Sequence, residues 1–179
     1  VIPTTTGQAV LIDCGANAEC TPEYLVQFAY LGSYYAHRVL GVERPRVGLL
    51  NIGAEDSKGT DLQKETLRWL REAHTAGHLN FIGNIEAKEA IKGGCDVIVC
   101  DGFSGNVLLK TMEGVGSFAG SALKAMFKKN LLTKLAALCV MPGLNAFKAK
   151  AWTPIRWAVP PSSVSPGRSL RPTAPPTPR

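Results

Sequence analysis

Short apolar runs that end abruptly at polar, glycine-containing loops constrain this chain more than any other feature. Val10-Leu11-Ile12 stops at Asp13-Cys14-Gly15-Ala16-Asn17, Val47-Gly48-Leu49-Leu50 stops at Asn51-Ile52-Gly53-Ala54-Glu55, and Val97-Ile98-Val99-Cys100 stops at Asp101-Gly102-Phe103-Ser104-Gly105-Asn106. Runs of this length are strands, and strands this apolar are covered on both faces. Helical periodicity follows each loop. Alternating buried strands and helices make a parallel sheet with helices on both sides, an α/β fold. Ligands of such sheets bind beyond the carboxyl ends of the strands. Convergence of the three loops on one edge is the main argument from the residues for an active site.

The helices are placed by their caps. Thr21-Pro22-Glu23 opens one, Thr as N-cap and Pro in the first turn, and Gly41 ends it near Leu40. Asp61 to Ala73 is a helix with Leu62, Leu67 and Leu70 inward. Leu79 to Gly83 reads as a strand, Ile85 to Lys92 as a short helix, and the loop from Gly102 to Gly105 leads into a long helix ending near Lys129.

The 179 residues carry 45% apolar and 19% charged side chains, enough to bury a core. The net charge of +6 misleads. Residues 1–150 hold 16 of the 20 basic residues and all 14 acidic ones, so the body is nearly neutral and has no basic groove for nucleic acid. Five cysteines without a secretory signal read as reduced cytosolic thiols. No Cys/His set has zinc spacing; His74 and His78, four apart, are explained by a polar helix end. No metal or organic cofactor is expected. No apolar run is long enough to span a bilayer. The start, Val1-Ile2-Pro3, reads as the interior of a longer protein, and residues 151–179, rich in Pro, Ser and Arg, read as a disordered tail.

Residues Asp101 to Asn106 lie between a buried strand and a helix. Backbone N–H groups at such a start attract an anion such as phosphate, and Asn106 adds an amide donor. A capped turn explains the same residues, and neither a GxGxxG fingerprint nor a P-loop is present. The loop from Asn51 to Gly59 gathers an amide, carboxylates at Glu55 and Asp56, and Lys58, a cation able to pair with an anion or polarise a carbonyl. Ser104 lacks a nucleophile elbow, and Cys14 and Cys100 read as buried structural thiols. Leu131, Leu132, Leu135 and Leu138, with Lys128, Lys129 and Lys134 beside them, form a basic amphipathic segment within 128–150. It suits either a packing face or an anionic membrane surface.

Together these stretches resemble the phosphate acyltransferases of bacterial phospholipid synthesis. The likeness rests on VLIDCGANAECTPEYLVQFAYLG (Val10 to Gly32), RVGLLNIGAEDSKG (Arg46 to Gly59), LNFIGNIEAKE (Leu79 to Glu89) and DVIVCDGFSGNVLLKTMEG (Asp96 to Gly114). It implies a three-layer α/β/α Rossmann-like domain with a mostly parallel sheet, present here in part as residues 1–150. It implies acyl transfer from acyl-carrier protein to inorganic phosphate without a cofactor, a homodimer, and a cytoplasmic protein peripherally bound to the membrane around Leu131 to Leu144. On that basis Lys58, Asn106 and Asp101 are the expected catalytic residues. Asn51, Gly53, Glu55, Gly102, Ser104 and Gly105 are expected to shape the phosphate and substrate site, and Leu131, Leu135, Leu138 and Lys134 to touch the membrane.

Two departures stand out. The family's amino-terminal strand-loop DAMGGD is absent, and WAVPPSSVSPGRSLRPTAPPTP from Trp157 replaces the usual ending. Read one base out of frame, permitted codons for that tail give VGGTALLGISRPVIKAHGSSDA, which is the family's pattern. A frameshift near Lys150 is therefore expected. The alternatives are an inactive truncated fragment, and a phosphotransacetylase- or dehydrogenase-like domain that binds an anion or a nucleotide.

Overall fold

The computed structural model describes residues 1–151, without the side chains of 131, 144 and 146–151. Its elements are β1 (Ile2–Thr4), β2 (Gly7–Ile12), α1 (Pro22–Leu40), β3 (Arg46–Leu50), α2 (Asp61–Thr75), β4 (Asn80–Ile85), α3 (Ala87–Ile91), β5 (Val97–Val99), α4 (Gly102–Lys128) and α5 (Leu131–Ala151). One sheet runs β1-β2-β5-β3-β4. Strands β2, β5, β3 and β4 are parallel, and β1 is antiparallel to β2. The expected α/β, Rossmann-like architecture is the observed one.

Strand β5 sits in the middle: Val97 is in register with Val10 on one side and Val47 on the other. Side-chain alternation divides the core in two. Val10, Val47, Leu49, Val97 and Val99 face α1 and α2, against Leu25, Ala29, Ala36, Leu67 and Leu70. Leu11, Ile98 and Cys100 face the other way, against Ala90 of α3 and Leu108 and Leu109 of α4. Each fully buried aliphatic side chain contributes about 1.5–3 kcal/mol, so these two layers hold the domain together. Helix α1 approaches β5 at a glycine: a Cβ on Gly32 would lie 2.5 Å from Val97 Cγ1.

The helix caps fall where the residues place them, with Pro22 in the first turn of α1 and Gly41 closing it at φ 72°. Two features differ from expectation. Helix α3 starts later than expected, because Ile85 stays in the sheet, paired with Leu50. Strand β1 was not expected at all; three residues are too short to show a period, yet Ile2 is buried in its pairing with β2. The long helix ends at Lys128, where it was expected to end, and the basic segment 128–150 continues from there as α5. The break is capped by Asn130 and Thr133, whose side chains each accept the other's backbone N–H, at 3.1 and 2.9 Å. The expected tail lies, beyond Ala151, outside the described residues.

At the opposite edge of the sheet from the three loops, Arg46 fastens β3 to the turn before β5. Its backbone N–H and Nε donate to Asp96 Oδ2 at 2.8 and 3.0 Å, its Nη2 donates to Asp96 Oδ1 at 3.0 Å, and Nη1 and Nη2 reach the Gly94 and Gly93 carbonyls. Partial burial pushes the Asp96 carboxyl up, but the hydrogen bonds and charge of Arg46 outweigh it and hold the group below its ordinary value. A carboxylate with a depressed native pKa stabilises the fold above its unfolded pKa and loses that contribution as pH falls through the native one. Asp96→Ala should cost about 1–3 kcal/mol at neutral pH. The difference from wild type should shrink in urea titrations taken below about pH 4.

Candidate functional site

Parallel pairing brings the carboxyl ends of β2, β5 and β3 to one edge, with the loop after β5 between the other two. The first loop is organised by Asp13, a non-glycine residue at φ 62°. That backbone costs about 1 kcal/mol or more. Hydrogen bonds offset it: Oδ1 accepts the Gly15 and Ala16 N–H at 3.1 and 2.8 Å, and Oδ2 accepts the Asn17 N–H and Nδ2 at 3.1 and 2.9 Å.

The second loop closes onto the first. Cys100 Sγ donates toward the Ile12 and Asp13 carbonyls at 3.4 and 3.5 Å, and the Gly102 N–H donates to Asn17 O at 2.9 Å. Neither Gly102 nor Gly105 has room for a side chain. A Cβ on Gly102 would lie 2.6 Å from Asn17 O, and one on Gly105 would collide with the Asp13 carbonyl oxygen. Asp101 caps α4, accepting the Ser104 N–H at 2.8 Å on Oδ1 and the Ser104 hydroxyl at 2.9 Å on Oδ2. Asn106 is exposed, and its side chain lies beside Gly15.

The third loop turns on Asn51. Its Nδ2 donates to Lys58 O at 3.1 Å and its Oδ1 accepts the Ile52 N–H at 2.8 Å. Gly59, at φ 90°, leaves space for that amide. Gly53 is buried under the Glu55 carboxylate and the Lys58 stem, which would meet a Cβ there at 2.6 and 2.9 Å. Arg71 of α2 clamps the loop from outside, donating to both oxygens of Asp56 at 2.6 Å. Asn84 of β4 holds it from below, its Nδ2 donating to Glu55 O at 3.0 Å while its buried Oδ1 has no partner among the described residues.

Asn51, Gly53, Glu55 and Lys58 are therefore one unit, and Gly102, Ser104, Gly105, Asp101 and Asn106 another. A cleft of about 630 Å³ joins them, with Asn51, Ile52 and Gly59 on one side and Phe103, Ser104 and Val107 on the other. Asp101 spends both oxygens on Ser104 rather than on Lys58. The helix start also offers fewer donors than expected, since the Gly102, Ser104 and Gly105 N–H groups already bond to Asn17 O, Asp101 Oδ1 and Asp101 O. Burial raises the Cys14 and Cys100 thiols above their ordinary values and Cys95 to about 12. All three are thus neutral thiols near pH 7, poor nucleophiles. Lys134, Leu135 and Leu138 are exposed on α5, and none of them lines the cleft. Leu131 falls among the side chains outside the description.

Sequence reasoning placed Asp13 in the first loop without its organising role, and missed Arg71, Asn84 and the apolar wall of Phe103 and Val107. Phe103 and Val107 had a signal, an exposed i, i+4 pair at a helix start, and Asn84 is a lone amide in an apolar strand. Arg71 had none, because its partner is fifteen residues away.

The tight contact at Gly105 is testable against a glycine of the same helix that touches nothing. Gly105→Ala should destabilise the protein by about 1–3 kcal/mol. Gly114→Ala, with open space around it, should stabilise it by up to about 1 kcal/mol through helix propensity. Thermal melts of the two variants beside wild type read both signs.

The family model described as "Fatty acid synthesis protein" matches residues 1–153. Among curated proteins, the chain is 51% identical over 150 residues to the phosphate acyltransferase of Alkaliphilus oremlandii, covering 84% of this chain and 44% of that protein. It is 51% identical over 150 residues to that of Brevibacillus brevis, covering 83% and 44%, and 49% identical to that of Aquifex aeolicus over 150 residues, covering 84% and 43%. The chain thus spans under half the length of the curated relatives it matches. With 153 of its 179 residues matched in one stretch, the chain belongs to the fatty acid synthesis protein family.

Proposed function

We propose that this chain carries the site of a phosphate acyltransferase, which moves an acyl group from acyl-carrier protein to inorganic phosphate for phospholipid synthesis. The observation that carries the reading is identity of about one half, over 150 residues, to proteins named phosphate acyltransferase. The three-loop edge is a place where the reaction can be positioned. A phosphate oxygen attacks the thioester carbonyl carbon, the C–S bond breaks, and acyl-phosphate and the carrier thiol leave. Phosphate is itself the nucleophile, so the protein's tasks are alignment and charge stabilisation.

In this reading Lys58 faces the phosphate or the developing oxyanion, held by Asn51, Gly53 and Glu55. Asn106 donates to phosphate beside the α4 start, and Asp101, with Ser104, Gly102 and Gly105, fixes that start against the first loop. The test is formation of acyl-phosphate from acyl-carrier protein and phosphate by the purified chain, beside a version whose frame is restored after residue 150. Phosphate-dependent turnover in either supports the reading, and turnover only in the second makes the 179-residue chain the inactive form. No turnover in both overturns it. In the active form Lys58→Ala should lower the rate by about 10²-fold or more, the scale of one preorganised charge donor. Asn106→Ala should raise the KM for phosphate more than that for the carrier protein.

We further propose a homodimer that is cytoplasmic and peripherally bound to anionic membrane through α5. The support is exposure of apolar groups next to lysines: Leu135 is 55% and Leu138 69% exposed, beside Lys134. No described helix is long and apolar enough to cross a membrane. Val140 is exposed too, so the apolar surface wraps further round α5 than a narrow stripe. Vesicle binding should be reversible, stronger with anionic lipid and weaker in salt. Leu135→Glu should abolish co-sedimentation while the thermal melt stays intact; loss of the dimer instead would make this a packing face.

A further inference from the structure

Lys58 stands on a loop whose residues 54–58 are all exposed. Exposed loops are ordinarily the mobile parts of a fold. This one is fastened at successive residues by groups outside it. Asn84 Nδ2, on β4, donates to Glu55 O at 3.0 Å, and the same carbonyl accepts the Lys58 N–H at 3.1 Å. The Lys58 backbone is thus two hydrogen bonds away from the sheet. Its own carbonyl accepts Asn51 Nδ2 at 3.1 Å. Between these points Asp56 is gripped by both terminal nitrogens of Arg71 on α2.

Stability does not account for either outside anchor. Both side chains of the Arg71–Asp56 pair are more than half exposed, and such pairs contribute little. Asn84 is buried, and its Oδ1 has no partner among the described residues. A buried amide with an unmade bond carries a desolvation cost that an apolar side chain of the same shape would avoid. Departures of that kind collect at functional sites. What the two anchors share is their object: from sheet and from helix, they fix the loop that holds the one cationic side chain among the three loops.

We propose that Asn84 and Arg71 are positioning residues for Lys58, holding the β3–α2 loop so that its ammonium is preorganised for an anion at the three-loop edge. The inference rests on the acyl-transfer reading above for the identity of that anion. Its test has two readouts, taken on the form that turns over and on the purified chain. One is steady-state kinetics. The other is acetylation of Lys58 by an N-hydroxysuccinimide ester, followed by peptide mass spectrometry with and without inorganic phosphate. Asn84→Leu should lower kcat about tenfold or more and leave the KM for the carrier protein unchanged. It should melt no lower than wild type, because the unpaired buried acceptor is gone. In wild type, phosphate should slow acetylation of Lys58 but not of Lys64, and Asn84→Leu should lose that protection. Arg71→Ala and Asp56→Ala should each lower kcat, together no further than either alone, and the exchanged pair Arg71→Asp/Asp56→Arg should recover most of the loss. If Asn84→Leu fails to fold, these surface variants carry both readouts. An unmoved kcat in a variant overturns the role of its residue, as does a loss of kcat that tracks a lowered melting temperature. Protection that depends on Asn84 or Arg71, without turnover in any form, leaves the positioning standing and removes the transfer reading. Turnover with kcat and protection unmoved removes the positioning alone, and absence of both turnover and protection removes the two together.

Discussion

The carbonyl oxygen of Asp13 lies where any side chain on Gly105 would have to go. That contact lets α4 start directly against the loop after β2, and the rest of the edge follows from it. Gly102 approaches Asn17 by the same means, and Cys100 fills the remaining gap with a thiol pointed at the Ile12 and Asp13 carbonyls. The left-handed backbone of Asp13 is the local cost, and its carboxylate, bonded to three consecutive backbone N–H groups and one side-chain amide, offsets it. Two loops far apart in sequence become one surface because small residues permit the approach and a single acid organises it.

The third loop reaches the same surface by a different route. It has no close backbone packing against α4; the cleft separates them. Its shape comes from within, through Asn51 and Gly59, and from outside, through Arg71 and Asn84. Exposed ion pairs contribute little to stability on their own. A bidentate Arg–carboxylate pair still fixes geometry, and here it ties the lysine-bearing loop to a rigid helix. One side of the site is thus built as core and the other as a tethered flap over α2.

How much of this was legible follows from the range of each interaction. Buried strands show as apolar runs, and helix ends show as Thr21-Pro22 and Gly41, because those signals are local. The glycines at 102 and 105 were visible as a loop motif, but not the reason for them, since Asp13 is about ninety residues away. Asp101, expected among the catalytic residues, uses both oxygens to cap Ser104, a local pattern that the functional reading passed over. Strand β1 was invisible because its burial depends on pairing, not on its own three residues. The Arg71–Asp56 clamp was invisible because it joins a helix to a loop through two side chains of no special pattern.

Helix α4 draws these constraints together by changing its environment along its length. Its first two turns are core, with Gly102, Gly105, Leu108 and Leu109 buried against the sheet. From Gly114 on it leaves the sheet, and Val115, Phe118, Leu123 and Met126 are exposed, with α5 packed beside it. An apolar helix needs a partner surface or a lipid phase. The sheet satisfies that need for the first part and α5 satisfies it only partly for the second, since α5 itself exposes Leu132, Leu135 and Leu138. The α4–α5 hairpin is therefore the region where this fold is least complete by itself. In the proposed reading, the opposite ends of one rigid helix face a phosphate and a greasy surface.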